Sequence, residues 1–543
     1  MKQLLAITLL FAGSLMAQQH TQQPVRVFIF AGQSNMVGSD SKAKDVERFP
    51  PFAGLDQAQP GVKFSYTLGR ENKMESKGWV DLAPVNKVVG PELSFARKVS
   101  QSIDAPIAII KCAAGGTHLG GDWNPDEPIG FKMYPLMLEL VRSSLAELDA
   151  QKTPYQIEGL MWHQGENDMF NKDYMPAYGA NLKNFLAKLR RDLKTPDLKC
   201  YIGELCTKTI WGMDLRPRMY AIREGQKAVT DADPLAEYIP TSHVGVEIGG
   251  GAGLHYHYGT LGQLEHGENY AEAYLRTIGK AKTPARPLEP WPYSAGSPVK
   301  LFILAGHRNM EGERAFVQEL KGEHSALLED HPKVAFTYSV GGGYKTSKGW
   351  EPLGPAGPYD TFGPELSFGR SVQQGRSGNI ALAKFTHSGS QIIDWTPAGS
   401  EAKARNLYPA FITYIKDAVN DLENKGHPVE LAGIFYHVGE NDMSFGPYRK
   451  SAAGYVQSLI QQSRTDLKRP TLKWFVSQQR PTDHESVNKM DVVAEFEALA
   501  AEDENLIHIK AFDFPPQEKK LVIDTAGIVA LGEFMATGYL EKR

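Results

Sequence analysis

The sequence predicts two copies of a three-layer α/β domain, each built on a mostly parallel sheet. Three observations carry that expectation: apolar runs alternate with amphipathic helical stretches, the chain repeats itself at a fixed offset, and a proline-rich segment separates the repeats.

The strands come first. Val25–Ala31, Ile107–Lys111, Ile157–Trp162 and Leu198–Leu205 are short and almost continuously apolar. Strands covered on both faces read this way, as in parallel sheets. Between the last two, Leu182, Phe185, Leu186, Leu189 and Leu193 recur at helical spacing, and Tyr270, Ala273 and Tyr274 mark a further helix. Strand–helix alternation implies helices on both faces of one sheet. The order returns in Val299–Ala305, Ile380–Phe385, Leu431–Tyr436 and Leu472–Ser477.

The repeat is explicit. Phe28-Ile29-Phe30-Ala31-Gly32-Gln33-Ser34-Asn35-Met36 faces Phe302-Ile303-Leu304-Ala305-Gly306-His307-Arg308-Asn309-Met310, and His163-Gln164-Gly165-Glu166-Asn167-Asp168 faces His437-Val438-Gly439-Glu440-Asn441-Asp442. From 34 to 308 and from 166 to 440 the offset is 274. One offset held over that distance means a duplicated domain rather than a short solenoid unit. Gly90-Pro91-Glu92 and Gly363-Pro364-Glu365 extend the register. Prolines at 284, 287, 290 and 292 suit an extended connection, since they fix φ and lack an N–H donor. The expected organisation is therefore an exported leader at 1–17, a first domain at 24–282, a linker at 283–298 and a second domain at 299–543.

Length and composition set the frame. The 543-residue chain carries a net charge of −4, without the clustered basic residues that a nucleic-acid partner favours. Lys2, an apolar run from Leu4 to Met16 and then Ala17 read as a leader peptide, too short to span a bilayer comfortably. No cysteine follows it for a lipid anchor, so the expected location is periplasmic or secreted with no membrane anchor. The three cysteines, Cys112, Cys200 and Cys206, cannot all pair, and Trp474 opposite Cys200 suggests a buried thiol.

The chemistry gathers at strand ends, where ligands bind in open parallel sheets. Ser34 follows the first strand, Gly115-Gly116-Thr117 follows another, and Gln164 and Glu166 follow a third. A serine hydroxyl needs a base, a group that orients the base, and donors for the oxyanion. His255 and His257 are the available bases near the end of the first copy. They could also form a metal pair, but no carboxylate or cysteine stands at a supporting spacing, so no metal or cofactor is implied. Trp123, Trp162, Trp211 and Tyr256 could stack on a sugar, though each one singly reads as core.

Gly32-Gln33-Ser34-Asn35-Met36, Gly90-Pro91-Glu92, Gly115-Gly116-Thr117, His163-Gln164-Gly165-Glu166 and His257-Tyr258-Gly259-Thr260-Leu261-Gly262 together resemble the SGNH hydrolase superfamily. Within it, the chain is similar to the sialate O-acetylesterase-type domain shared with acetylxylan esterases of carbohydrate esterase family six. The resemblance implies a flavodoxin-like three-layer fold and removal of O-acetyl groups from an acetylated carbohydrate without a cofactor. It implies Ser34 as nucleophile and His257, with Gly262 and Gly267 at the family's spacing, as base. The family's usual aspartate three residues before this histidine is Leu254 here. In family six relatives the glutamate of His-Gln-Gly-Glu can serve, which places the acid role on Glu166. The oxyanion donors expected are the N–H groups of Ser34 and of Gly90 or Gly116, and the Gln164 amide.

The second copy reads as degenerate. Arg308 replaces Ser34, Val438 replaces Gln164 and Val522 falls opposite His257, while the glycines and apolar strands stay. The expected function is an exported carbohydrate O-acetylesterase with one inactive domain that packs on the other or binds glycan. The alternatives are a sugar-binding protein with two inactive domains, and an esterase acting on a non-sugar ester.

Overall fold

Strand β1 (Val25–Gly32) is the spine of the first half because both of its faces are apolar. Val27, Ile29 and Ala31 point into one core with Leu182, Phe185 and Ile222, and Phe28 and Phe30 point into another with Leu93, Val99, Leu264 and Tyr274. This computed structural model describes residues 23–210, 213–246, 256–281, 286–401, 405–443, 446–479, 492–511 and 522–541. The N-terminal apolar run, Trp211, Leu254 and His255 lie outside these residues.

The chain continues through helix α1 (Ser34–Val37), β2 (Gln59–Leu68), β3 (Met74–Glu75), β4 (Val80–Leu82), α2 (Glu92–Ser102), β5 (Ile107–Ala113), α3 (Met133–Ala150), β6 (Tyr155–His163) and α4 (Tyr174–Asp192). It ends the first half with β7 (Lys199–Gly203), the small hairpin β8 (Thr209–Ile210) and β9 (Met213–Asp214), α5 (Arg216–Ala232), β10 (Ala236–Ile239) and α6 (Gly259–Thr277). The sheet order is β10-β7-β6-β1-β5-β2-β3, with β4 on β2. All pairs except those to β3 and β4 are parallel. Helices α2 and α6 cover one face, and α3, α4 and α5 the other. The second half repeats the plan, its spatial order from Lys345–Thr346 through His331–Val340, Asn379–Thr386, Val299–Gly306, Val429–His437 and Trp474–Gln479 to Leu506–Ala511. The duplicated three-layer α/β fold expected from the sequence is the fold observed.

The register decides where chemistry can occur. Gly32 lies opposite both Ala113 and His163. The loops after β1, β5 and β6 therefore leave the sheet at one level, on either side of the strand where the chain order reverses. Such a reversal opens a crevice at the carboxyl edge. Gly32 is required there: its φ is +151° and a Cβ would collide with the His163 carbonyl.

Three details refine the sequence reading. The Pro-rich stretch from Arg286 to Pro298 forms neither helix nor strand, but Leu288 and Tyr293 are buried in the second half's core. Trp123 and Trp162 are fully buried against each other, and Tyr256 is 8 % exposed, so these three are core rather than a stacking surface. All three thiols are free and buried, and burial pushes those of Cys112 and Cys200 up to about 12.

One buried ion pair occurs in both halves: Lys111 to Glu92 at 2.6 Å and Lys384 to Glu365 at 2.8 Å. Removing one partner from such a pair strands a buried charge. Lys111→Met is therefore expected to cost about 3–5 kcal/mol, read as a fall in the denaturation midpoint. An unchanged midpoint would mean that Glu92 is neutral or hydrated in the fold.

Candidate active site

Ser34 opens the single turn of α1, immediately beyond β1. The turn closes on Gly38, whose N–H donates to the Ser34 carbonyl at 3.0 Å. Ser34 is 6 % exposed, and among the described residues no hydrogen bond holds its hydroxyl. Gly115 sits against it: a Cβ there would lie 3.5 Å from the Ser34 Cβ.

Asn35 ties this turn to the base segment. Its amide oxygen accepts from the Tyr258 N–H at 3.2 Å, and its Nδ2 donates to the Tyr256 carbonyl at 3.3 Å. The residue between, His257, thus stands beside the serine turn, although no hydrogen bond joins it to Ser34. Its Nδ1 lies 2.8 Å from Asp40 Oδ2. Its Nε2 is buried and has no hydrogen-bond partner among the described residues. Asp40 belongs to the same loop as the serine, six positions on, with φ +64°.

Glu166 is not at this imidazole. It is fully buried, accepts from Asn35 Nδ2 at 2.5 Å and lies 3.6 Å from His163 Nε2. Burial alone would raise its carboxyl; the His163 ring and the Asn35 amide outweigh that and hold it below the usual carboxylate range. The carboxylate that meets His257 is Asp40, which stands neither next to the histidine in sequence nor in His-Gln-Gly-Glu. A signal existed: the 274 offset puts Arg314 opposite Asp40, so this position changes together with Ser34 and His257.

One expected oxyanion donor is committed elsewhere, and a second position serves packing. The Gln164 amide is fully buried and spends its hydrogens on Gln33 Oε1 at 3.0 Å, the Thr117 carbonyl at 3.1 Å and Asp168 Oδ2 at 2.6 Å. Gly90 lies against the Lys111–Glu92 pair, where its lack of a Cβ is a packing need. Gly116 does line the crevice, with φ +75°. A Cβ there would lie 2.9 Å from Arg70 Nη1 and 3.9 Å from Asn167 Nδ2. Asn167 is oriented by Gln33, whose Nε2 donates to its Oδ1 at 3.3 Å. The comparison of copies is silent on it because Asn441 stands opposite. At the rim, the Arg70 guanidinium lies 5.0 Å over the Phe131 ring, and His118 meets Tyr174 edge-on at 5.7 Å.

The second half preserves the scaffold of this crevice with Arg308 in place of Ser34, Arg314 in place of Asp40 and Val522 in place of His257. Ile523 N–H donates to Asn309 Oδ1 at 2.9 Å, as Tyr258 does to Asn35, which fixes Val522 opposite His257. Arg308, fully buried, pairs with Glu313, the residue opposite Ser39. The Glu440 carboxyl receives the N–H groups of Arg308 at 3.0 Å and Asn309 at 2.9 Å. Burial pushes that carboxyl up to about 8. The backbone donors that have no acceptor at Ser34 among the described residues are thus occupied here by a side chain.

A hydroxyl on a strand-end turn, with a glycine loop against it, and an imidazole held by a carboxylate define the class: an α/β fold with a polar crevice at the carboxyl edge of its sheet. The particular family follows from comparison. The family model for carbohydrate esterase, sialic acid-specific acetylesterase, matches residues 24–276 and again 298–541, and the chain belongs to that family. A probable carbohydrate esterase of Arabidopsis thaliana is 29% identical over 188 residues, 32% of this chain; the chain spans 66% of that protein's length, just short of two thirds. Two solved structures are similar. One is an Arabidopsis thaliana protein at 22% identity and TM-score 0.36, covering 47% of this chain and 98% of its own. The other is a carbohydrate acetylesterase of Xanthomonas citri at 15% identity and TM-score 0.33, covering 48% and 59%.

Proposed function

We propose that this chain is an exported carbohydrate O-acetylesterase that works through a serine acyl-enzyme in its first half alone. The observation that carries this reading is the His257 ring held at Nδ1 by Asp40, 2.8 Å away, with Nε2 unpartnered beside the Ser34 turn. The replacement of all three groups in the second copy, by Arg308, Arg314 and Val522, supports the reading. Family membership supports the substrate class, an acetylated sugar.

In this mechanism Ser34 Oγ attacks the acetyl carbonyl carbon while His257 Nε2 takes the hydroxyl proton. Asp40 keeps the other ring nitrogen protonated and stabilises the imidazolium that forms. The oxyanion is received by the Ser34 N–H, the Gly116 N–H and the Asn167 amide. Collapse breaks the bond to the sugar oxygen, which leaves with the proton from His257. Water then adds to the acetyl-serine by the same route, and acetate departs. Arg70, His118 and Tyr174 at the rim supply hydrogen-bonding and ring surfaces of the kind that hold sugars.

The test is acetate release across a panel of acetylated oligosaccharides and one small acetyl ester, with fluorophosphonate labelling mapped by peptide analysis. Acetate from at least one glycan and a single label on Ser34 are expected. Release from the small ester alone would point to a non-sugar substrate, and no release from any would leave a binding protein. Export is tested by the N-terminus of the mature protein, expected just after Ala17.

A further inference from the structure

His257 lies on a short segment that two loops support in addition to Asn35. Thr207 Oγ1 donates to the Tyr256 carbonyl at 3.3 Å. The Tyr258 hydroxyl donates to the Glu204 carbonyl at 3.3 Å and to Thr241 Oγ1 at 3.0 Å. Cys206, Val244, Val246 and Tyr258 pack as one small apolar cluster. Residues 204–208 after β7 and 240–246 after β10 therefore carry the imidazole between them.

Both loops are gripped from the other side by the second half. Lys208 Nζ, buried, donates to the Gly389 carbonyl at 2.6 Å, where Arg405 Nη2 also donates at 2.5 Å. Ser388 Oγ donates to the His243 carbonyl at 2.8 Å. Gly389 packs so closely on Ser242 that a Cβ would collide with its carbonyl oxygen. The gripping residues have a history. Gly306 pairs with Thr386 as Gly32 pairs with Ala113, so Ser388 and Gly389 stand where Gly115 and Gly116 line the live crevice.

We propose that the degenerate copy is a positioning element for the catalytic base: its former crevice loop, at Ser388 and Gly389, holds the two loops that aim His257. Lys208, Ser388 and Gly389 are then positioning residues that never meet substrate. The inference rests on the reading of Ser34 and His257 as nucleophile and base. Catalysis demands it physically, because misplacement of a reacting group by about 1 Å can cost on the order of 10²-fold in rate.

The test uses the full-length chain with three variants, Gly389→Ala, Lys208→Met and Ser388→Ala, and Ser34→Ala alongside. Folding is followed by thermal melts, and kcat and KM are measured separately on a small acetyl ester. For folded Gly389→Ala and Lys208→Met, kcat is expected to fall about tenfold to a hundredfold, with KM within about twofold. Ser388→Ala should fall in the same direction by less. Fluorophosphonate labelling of Ser34 should slow in parallel, since it needs the same base. An interface that only stabilises the fold would lower the melting temperature and leave kcat of the folded enzyme unchanged, and that result overturns the proposal. If Gly389→Ala does not fold, the other two decide by the same criterion. An active Ser34→Ala protein would instead overturn the reading of the site itself.

Discussion

Ser34→Ala is expected to lower kcat for acetate release on the order of 10⁴- to 10⁶-fold, since removing one member of a catalytic set costs nearly as much as removing all of it. The fold should not notice. The hydroxyl accepts and donates no hydrogen bond among the described residues, and the turn is closed by backbone, from Gly38 N–H to the Ser34 carbonyl. A stability change within about 0.5 kcal/mol is therefore expected, as for substitutions away from packing and hydrogen-bond networks. Matched melting curves with the rate gone would mark a chemical loss. An alanine protein that still turns over would move the nucleophile elsewhere.

The second large effect separates two carboxylates. Asp40→Asn keeps size and shape but allows its amide to donate to Nδ1, which favours the tautomer whose proton sits on Nε2, where the base must be empty. A fall of about 10³- to 10⁴-fold in kcat is expected, with KM little changed. Glu166→Gln should behave differently. Its remaining carbonyl still accepts from Asn35, but the charge beside His163 is lost in a fully buried place, so about 1–3 kcal/mol of stability should go while the folded fraction keeps its rate. If instead Glu166→Gln kills turnover and Asp40→Asn spares it, the orienting role returns to Glu166.

The fold was legible because it depends on periodicity and repetition, which a sequence displays directly. The residues on which the proposed site rests were legible by type: Ser34 and Gly116 as a serine and a glycine just after strands, and His257 as a histidine ahead of Gly262 and Gly267. For Gln164 the chemical type alone misleads. An amide can donate to an oxyanion, but the Gln164 hydrogens are already committed to Gln33, Thr117 and Asp168, and the sequence does not show commitments. Val438 opposite Gln164 marks the loss of that internal network rather than of an oxyanion donor. Asp40 was missed because the loop conformation that folds it back on the base, with φ +64°, is tertiary information. Asn167 was invisible because both copies keep an asparagine there.

Helix α6 carries a separate lesson about patterning. From Gly259 to Leu275 nearly every side chain is buried, because one face lies on its own sheet and the other meets Tyr344 and Tyr359 of the second half through Glu272 and Asn269. A helix covered on all sides loses the polar stripe that marks a surface helix. Its periodicity was legible near Tyr270–Tyr274, but its second partner was not.

The pairing of Arg308 with Glu313 sets a direction for descent. In the first copy these positions are Ser34 and Ser39, two small neutral residues. A change of Arg308 to serine would take the nearest guanidinium from the Glu313 carboxylate, whose side chain is 2 % exposed, and leave it Arg314 at 3.9 Å. Loss of one partner from a buried ion pair costs up to about 3–5 kcal/mol, less where a second cation remains, and even part of that is a large share of the stability of most folds. The reverse path crosses a valley that the forward path could have skirted, for example if the glutamate arrived while still solvated. The arginine and glutamate of the second copy are therefore expected to persist together in descendants of this chain.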